Sequence, residues 1–218
     1  DRNESSTKDL LGDTFTDRQL QAMNTVSMDM WQSYINATRD KCPNAEIVHD
    51  KFHLISYLNK SIDQVRRREV KYNDELINAR YALLKNEENL TEKQKEKFEL
   101  IKSANFQVSK AWLIRENFKE LFEFYNNEQE ALKLFINWAQ DSFMQGIKEV
   151  NKVIMMLLNH VRGVVNALIS NLNNAMAERL NGKIQELKFV GRGYRLFKNF
   201  RSAILFFHGG LDLYPLKW

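Results

Sequence analysis

Apolar positions along this chain change rhythm between its first third and the remainder. In residues 1–75, short apolar runs alternate with stretches of helical spacing. "TVSM" (25–28) reads as a short strand ending at Asp29. "DMWQSYINATRDKC" (29–42) then places Trp31, Tyr34, Ile35 and Thr38 at helical spacing, and Pro43 closes it. "AEIV" (45–48) reads as a second strand. Beyond it Ile55, Leu58, Ile62 and Val65 fall at steps of three, four and three, an amphipathic helix running into "RRREVK". Strand, helix, strand, helix predicts a parallel or mixed sheet with covering helices. Asp50 reads as the N-cap of the second helix, with His53 packed in its first turn.

From about 73 to 170 no strand pattern occurs and turn residues are few. "LTEKQKEKFELI" (90–101) opens with a capping box, Thr91 and Gln94. Trp112, Phe118, Leu121, Phe122 and Tyr125 mark a further apolar face. Phe143, Ile147, Val150, Ile154, Leu157, Val161, Val164 and Leu168 step alternately by four and three. That spacing predicts one continuous helix over 141–170, about 45 Å long. Its partner is either this chain or a second copy, and the neighbouring helical segments favour an intramolecular bundle. The last long helix, "NNAMAERLNGKIQELK" (173–188), has Met176, Leu180, Ile184 and Leu187 on one stripe and Glu178, Asn181 and Gln185 opposite. "GRGYRLF" breaks it, and a short helix ended by glycines follows.

Composition agrees with a helix-rich protein: 44% of 218 residues are apolar, with only 8 Gly and 2 Pro. No apolar run approaches the roughly 20 residues that cross a bilayer, so no membrane partner is expected. The polar start "DRNESSTKDLLGDTF" is unlike a signal peptide, and the single Cys42 excludes an internal disulfide framework, so the expected compartment is the cytoplasm. Charge is unevenly spread. Arg179, Lys183, Lys188, Arg192, Arg195, Lys198 and Arg201 face one acid, Glu186, which leaves about −2 for the rest of a chain whose net charge is +4. Phe189, Tyr194, Phe197 and Phe200 interleave with these cations, a pattern suited to phosphate backbone and unstacked bases. The plainer alternative is a solvated helix face whose aromatics sit in the core.

No glycine-rich nucleotide loop, paired-cysteine zinc spacing or serine elbow is present, and the scattered histidines suggest no zinc site. Carboxylates are the better candidates. Asp29 ends an apolar strand, where a sheet delivers side chains to its carboxyl edge, although such an Asp is more often a helix N-cap. Glu178 projects away from its helix's apolar stripe.

The run "NTVSMDMWQSYINATRDKCPNAEIVHDKFHLISYLNKSIDQVRRRE" resembles the central region of bacterial insertion-sequence transposases of the ISL-three type: strand, Asp-Met, an aromatic, Pro-Asn-Ala, then Asp-x-Phe-His and a Leu-Asn helix. "NNAMAERLNGKIQELKFVGRGYRLFKNFRSAILFFHGG" is similar to that family's closing motif. The two stretches occur in the expected order, and the resemblance covers about residues 10 to 210. It implies a predominantly helical α/β chain. Residues 1–72 would be part of an RNase H-like core, 73–170 a helical insertion, and 171–218 a core helix with a basic tail. It also implies a DDE enzyme in which three distant carboxylates hold two Mg²⁺ ions, or Mn²⁺ in their place, for cleavage and strand transfer of DNA. Asp29 matches the second catalytic Asp and Glu178 the catalytic Glu, both as metal ligands. Asp50, His53 and Asn181 match accompanying signature positions. Arg179, Lys183, Lys188, Arg192, Tyr194, Arg195, Lys198 and Arg201 are the expected DNA contacts. Trp112 and Trp138 lie where some DDE enzymes stack a flipped base, but packing in the bundle is the stronger expectation.

The chain departs from the pattern at Arg179, where the family commonly has Gly, and has no counterpart of the first catalytic Asp. It therefore reads as a fragment that is inactive alone. The alternative is a non-catalytic helical module that binds DNA through its tail or forms a homodimer through 141–170.

Overall fold

The computed structural model describes residues 3–85, 89–104, 106–123, 127–170 and 175–209, with the backbone alone at 175–178. It divides into two compact units, residues 1–172 and 173–218.

The first unit opens with α1 (Glu4–Thr14) and α2 (Asp17–Ala22). The Asn3 side chain accepts from Ser6 N at 2.7 Å to start α1, and Thr16 and Gln19 form a capping box on α2. Strand β1 (Thr25–Met28), helix α3 (Gln32–Lys41) and strand β2 (Glu46–His49) then form a strand–helix–strand unit. The strands pair in parallel, with Thr25 opposite Glu46 and Met28 opposite His49. A parallel pair needs a crossover connection, which α3 supplies, and α1 packs on α3. Among the described residues this is the sole sheet, so the chain is predominantly helical with a small α/β element.

Helix α4 (Lys51–Glu69) begins at Asp50, whose carboxylate accepts from His53 N at 3.1 Å. A short 3-10 turn (Asp74–Leu76), α5 (Arg80–Leu84), α6 (Glu92–Ser103), α7 (Gln107–Glu120), α8 (Glu128–Met144), α9 (Lys148–Asn159) and α10 (Val161–Ile169) follow. The capping box at Thr91 and Gln94 starts α6 as expected. The deepest row of α4 is Leu54, Leu58, Ile62 and Val65, each no more than 1% exposed. It starts at Leu54 and leaves Ile55 partly buried, because α5, α7 and α9 all pack on α4 and widen its apolar face.

The continuous helix expected over 141–170 does not form. The chain leaves α8 at Met144, and Gly146 takes a left-handed φ of +69° that L side chains rarely adopt. At His160 the axis turns by 84° between α9 and α10. Ile147, Val150, Ile154, Leu157, Val164 and Leu168 are nevertheless all buried in one cluster with α4 and α7. Their heptad rhythm arises because successive helices face the same core, and the partner is intramolecular as favoured. Phe143, the first of the series, is 44% exposed.

Polar groups fix how these helices meet. Arg115 is 1% exposed, and its guanidinium donates to Asn59 Oδ1 at 2.8 Å, Leu83 O at 2.9 Å and Glu116 Oε1 at 2.7 Å. It joins α4, α5 and α7. Trp138 is buried, donates Nε1–H to Ile114 O at 3.0 Å and stacks on Phe135. Trp112 lies edge-on to Phe98 with centroids 4.9 Å apart. Both tryptophans are packing residues.

Helix α10 closes on β2. Asn166 Nδ2 donates to Ile47 O at 2.9 Å, and Gly163 lies directly against the His49 ring. A Cβ at 163 would meet the ring's Cδ2 at 2.5 Å. The second unit contains α11 (Ala175–Val190) and α12 (Phe197–His208), the latter ending at Gly209 as expected. Gly193 N–H donates to Lys188 O at 2.8 Å to terminate α11. An uncrowded Gly→Ala change within a helix stabilises by up to about 1 kcal/mol. Gly163→Ala should instead destabilise by about 1–3 kcal/mol in urea unfolding, since the methyl overpacks the His49 contact. The loss should shrink in a His49→Ala background.

Candidate active site

Asp29 follows β1 directly, so it stands at the carboxyl edge of the parallel pair. It is not the N-cap of α3, a position occupied by Trp31. Its Oδ1 accepts from Met30 N at 2.7 Å and from the Tyr57 hydroxyl at 3.3 Å. Its Oδ2 faces His53 Nδ1 at 3.8 Å, too long for a hydrogen bond. The Asp29 side chain is 31% exposed, so a held carboxylate keeps one oxygen turned toward solvent and an imidazole.

His53 and Tyr57 lie one turn apart on α4, and the Asp50 cap sets where that turn begins. Burial pushes the Tyr57 phenol up from its ordinary value, and the adjacent Asp29 charge adds to the shift. Tyr57 was missed in the sequence because an aromatic at helical spacing reads as core. Its separation of four residues from His53 was the available signal. Asp50 itself is 6% exposed and committed to the helix start, the capping role its position in the sequence suggests.

Asp29 belongs to the first unit and Glu178 to the second, and the Glu178 side chain lies outside the described residues. Among the described residues no three His, Cys, Asp or Glu side chains cluster to hold a metal. Asp29 offers one hard oxygen ligand, suited to Mg²⁺ or Mn²⁺. In the second unit Asn181, Arg179, Lys183, Lys188, Arg192, Arg195, Lys198 and Arg201 are all exposed. Tyr194 lies against Phe200 with centroids 5.0 Å apart. Phe189 and Phe197 are 86% and 76% exposed, contrary to an arrangement with all the interleaved aromatics in a core.

A family model described as Transposase, that of the ISL-three type of DDE transposases, matches residues 1–204. The chain belongs to this family. It is 27% identical over 183 residues to the transposase for insertion sequence element IS1001 of Bordetella parapertussis, covering 80% of this chain and 45% of that protein. It is also 27% identical over 201 residues to the transposase for insertion sequence element IS1557 of Mycobacterium tuberculosis, covering 78% of this chain and 44% of the relative. This transposase-family chain thus spans less than half the length of the curated relatives it matches. No solved structure matches it. No single described helix is long and apolar enough to cross a membrane.

Next to the Asp50 cap of this transposase-family chain sits a histidine that sequence reasoning passed over. His49 is 3% exposed, with Nδ1 3.4 Å from Met28 O and its ring 5.6 Å from that of His160. Burial pushes it down to about 4; the Met28 carbonyl and Asp29 favour its protonation, while His160 and Arg39 oppose it. An unfolded histidine titrates near 6.5, so the unfolded chain binds the extra proton first as pH falls. The contribution of neutral His49 is complete above about pH 6.5 and declines by about 1.4 kcal/mol per pH unit down to about pH 4. Urea midpoints at pH 7 and pH 4.5 should therefore differ more for the wild type than for His49→Gln.

Proposed function

We propose that this chain supplies part of the catalytic domain of an insertion-sequence transposase, which cleaves and joins DNA with divalent metal ions. The observation that carries the reading is Asp29, a partly exposed carboxylate held by two donors at the carboxyl edge of a parallel strand, which the sequence resemblance matches to the family's second catalytic Asp. In this reading β1 and β2 belong to an RNase H-like core, and the helices after residue 73 form an insertion.

Asp29 and Glu178 would be metal ligands, joined by a third carboxylate from outside these 218 residues. Metal ions held there would supply Lewis-acid stabilisation for an in-line displacement at a phosphodiester. The chain's own residues do the positioning. Met30 N–H and Tyr57 O–H fix one Asp29 oxygen and leave the other toward the reaction. His53, at 3.8 Å, borders that second oxygen. The exposed cations of the second unit would track the DNA backbone, with Tyr194 stacking alongside Phe200.

The chain alone should be inert on transposon-end DNA with Mg²⁺, and a protein extended to include the upstream Asp should cleave it. Asp29→Asn or Glu178→Gln in that protein should slow cleavage by about 10³-fold, equivalent to about 4 kcal/mol of transition-state stabilisation. Wild-type rates in both variants would remove the assignment. The competing reading, a non-catalytic DNA-binding module, rests on the exposed cations alone and predicts that cleavage never appears. In either case, neutralising Arg192, Arg195, Lys198 and Arg201 should flatten the dependence of log affinity on log salt by about three to four units.

A further inference from the structure

The second unit carries aromatic rings that its own helices leave uncovered. Phe189, in the last turn of α11, is 86% exposed, and Phe197, the first residue of α12, is 76% exposed. Tyr194 and Phe200 instead lie against each other and are both partly buried. Between residues 187 and 201 five cations, Lys188, Arg192, Arg195, Lys198 and Arg201, interleave with these rings, and no acid occurs. All five are exposed.

The turn after α11 gathers part of this set in one place. Arg192 and Gly193 take left-handed φ values of +51° and +86°, and Arg192 N–H donates to Phe189 O at 2.9 Å. A non-glycine residue rarely adopts that conformation, and here the reversal returns Arg192 beside the helix it has just left. Lys188, Phe189, Val190, Arg192 and Gly193 thereby border one open concavity of about 690 Å³. Charge decides what such a face can take. A second copy docked through the same face would set five cations against five, and lysine is depleted from the cores of protein interfaces. Duplex DNA would satisfy the cations but keeps its bases stacked inside, so the rings would stay in water. An unpaired strand presents a phosphate chain and free base faces together.

We propose that Phe189 and Phe197 stack on unpaired bases of a single DNA strand whose phosphates run along Lys188, Arg192, Arg195 and Lys198. The inference rests on the DNA-acting function above and deepens it, naming an unpaired strand as what the second unit holds. It does not depend on the catalytic assignments. A strand held in this way is parted from its complement over the bases that the rings occupy.

Fluorescence anisotropy of the full chain with labelled oligo-dT, and with a duplex of equal length, tests it. Phe189→Ala and Phe197→Ala should each weaken oligo-dT binding about 5- to 100-fold and leave duplex affinity unchanged. Phe189→Trp should keep the affinity, and Phe189→Leu, apolar but without a ring, should lose it as alanine does. Tyr72→Ala, which removes an aromatic 84% exposed in the first unit, should change neither. Because both phenylalanines are exposed, circular dichroism should show every variant folded like the wild type. Unchanged oligo-dT affinity in the two alanine variants, or a fall matched by the duplex or by Tyr72→Ala, overturns the proposal and leaves the transposase reading intact. Failure of the wild-type chain to bind either DNA overturns both the proposal and the DNA-tracking role of the second unit. If sedimentation finds a dimer that the alanine variants dissociate, with oligo-dT binding unchanged, the face joins two copies of the chain and the proposal is wrong.

Discussion

Burial of Leu54, Leu58, Ile62 and Val65 along one face of α4 is the constraint on which the first unit depends. Each fully buried aliphatic side chain stabilises by about 1.5–3 kcal/mol, so the row outweighs any single polar contact in the unit. The same helix carries the candidate chemistry at its other end. Asp50 fixes where α4 starts, the apolar row fixes its rotation, and together they deliver Tyr57 to Asp29 and set His53 beside it. A rotation of α4 by one residue, about 100°, would remove the phenol from the carboxylate and expose the core row at once. Positioning of Asp29 and stability of the helical region are therefore one property.

Apolar burial alone would allow these helices several packings. Arg115, with its guanidinium shared between Asn59, Leu83 and Glu116, requires α4, α5 and α7 to meet in one arrangement, because any other leaves a buried cation without acceptors. Asn166 does the same for α10, whose amide must reach the Ile47 carbonyl. Gly163 enforces the distance at which it does so. Hydrophobic matter holds the unit together, and three polar or minimal residues specify which neighbour each helix receives.

Features set by neighbouring residues were legible in the sequence: both strands, the Asp50 cap, the Thr91 box and the final glycine stop. Features set at a distance were not. The apolar rhythm across 141–170 was correctly read as core, yet periodicity counts faces and cannot register that the axis turns at Gly146 and His160. Arg115 reads as surface in any window of its own helix, and only Asn59 and Leu83, distant in sequence, explain its burial. At the site, Asp29 could be found because a strand ends beside it. Tyr57 resembled a packing aromatic, and the neutrality of His49 depends on helices more than a hundred residues away.

The contact between Asn166 and Ile47 spans 119 positions. Translation adds roughly 5–20 residues per second, so β2 emerges from the ribosome roughly 6–24 s before the side chain that completes its edge has been made. During that interval the parallel pair has an unfilled carbonyl and an uncovered His49 face. Loop closure over such a distance adds an entropic cost that local helix formation does not carry. The sheet that bears Asp29 is thus synthesised well before α10 and is among the last parts of the unit to be finished. Nascent chains of this protein carry their candidate catalytic edge incomplete until the helical region has folded over it.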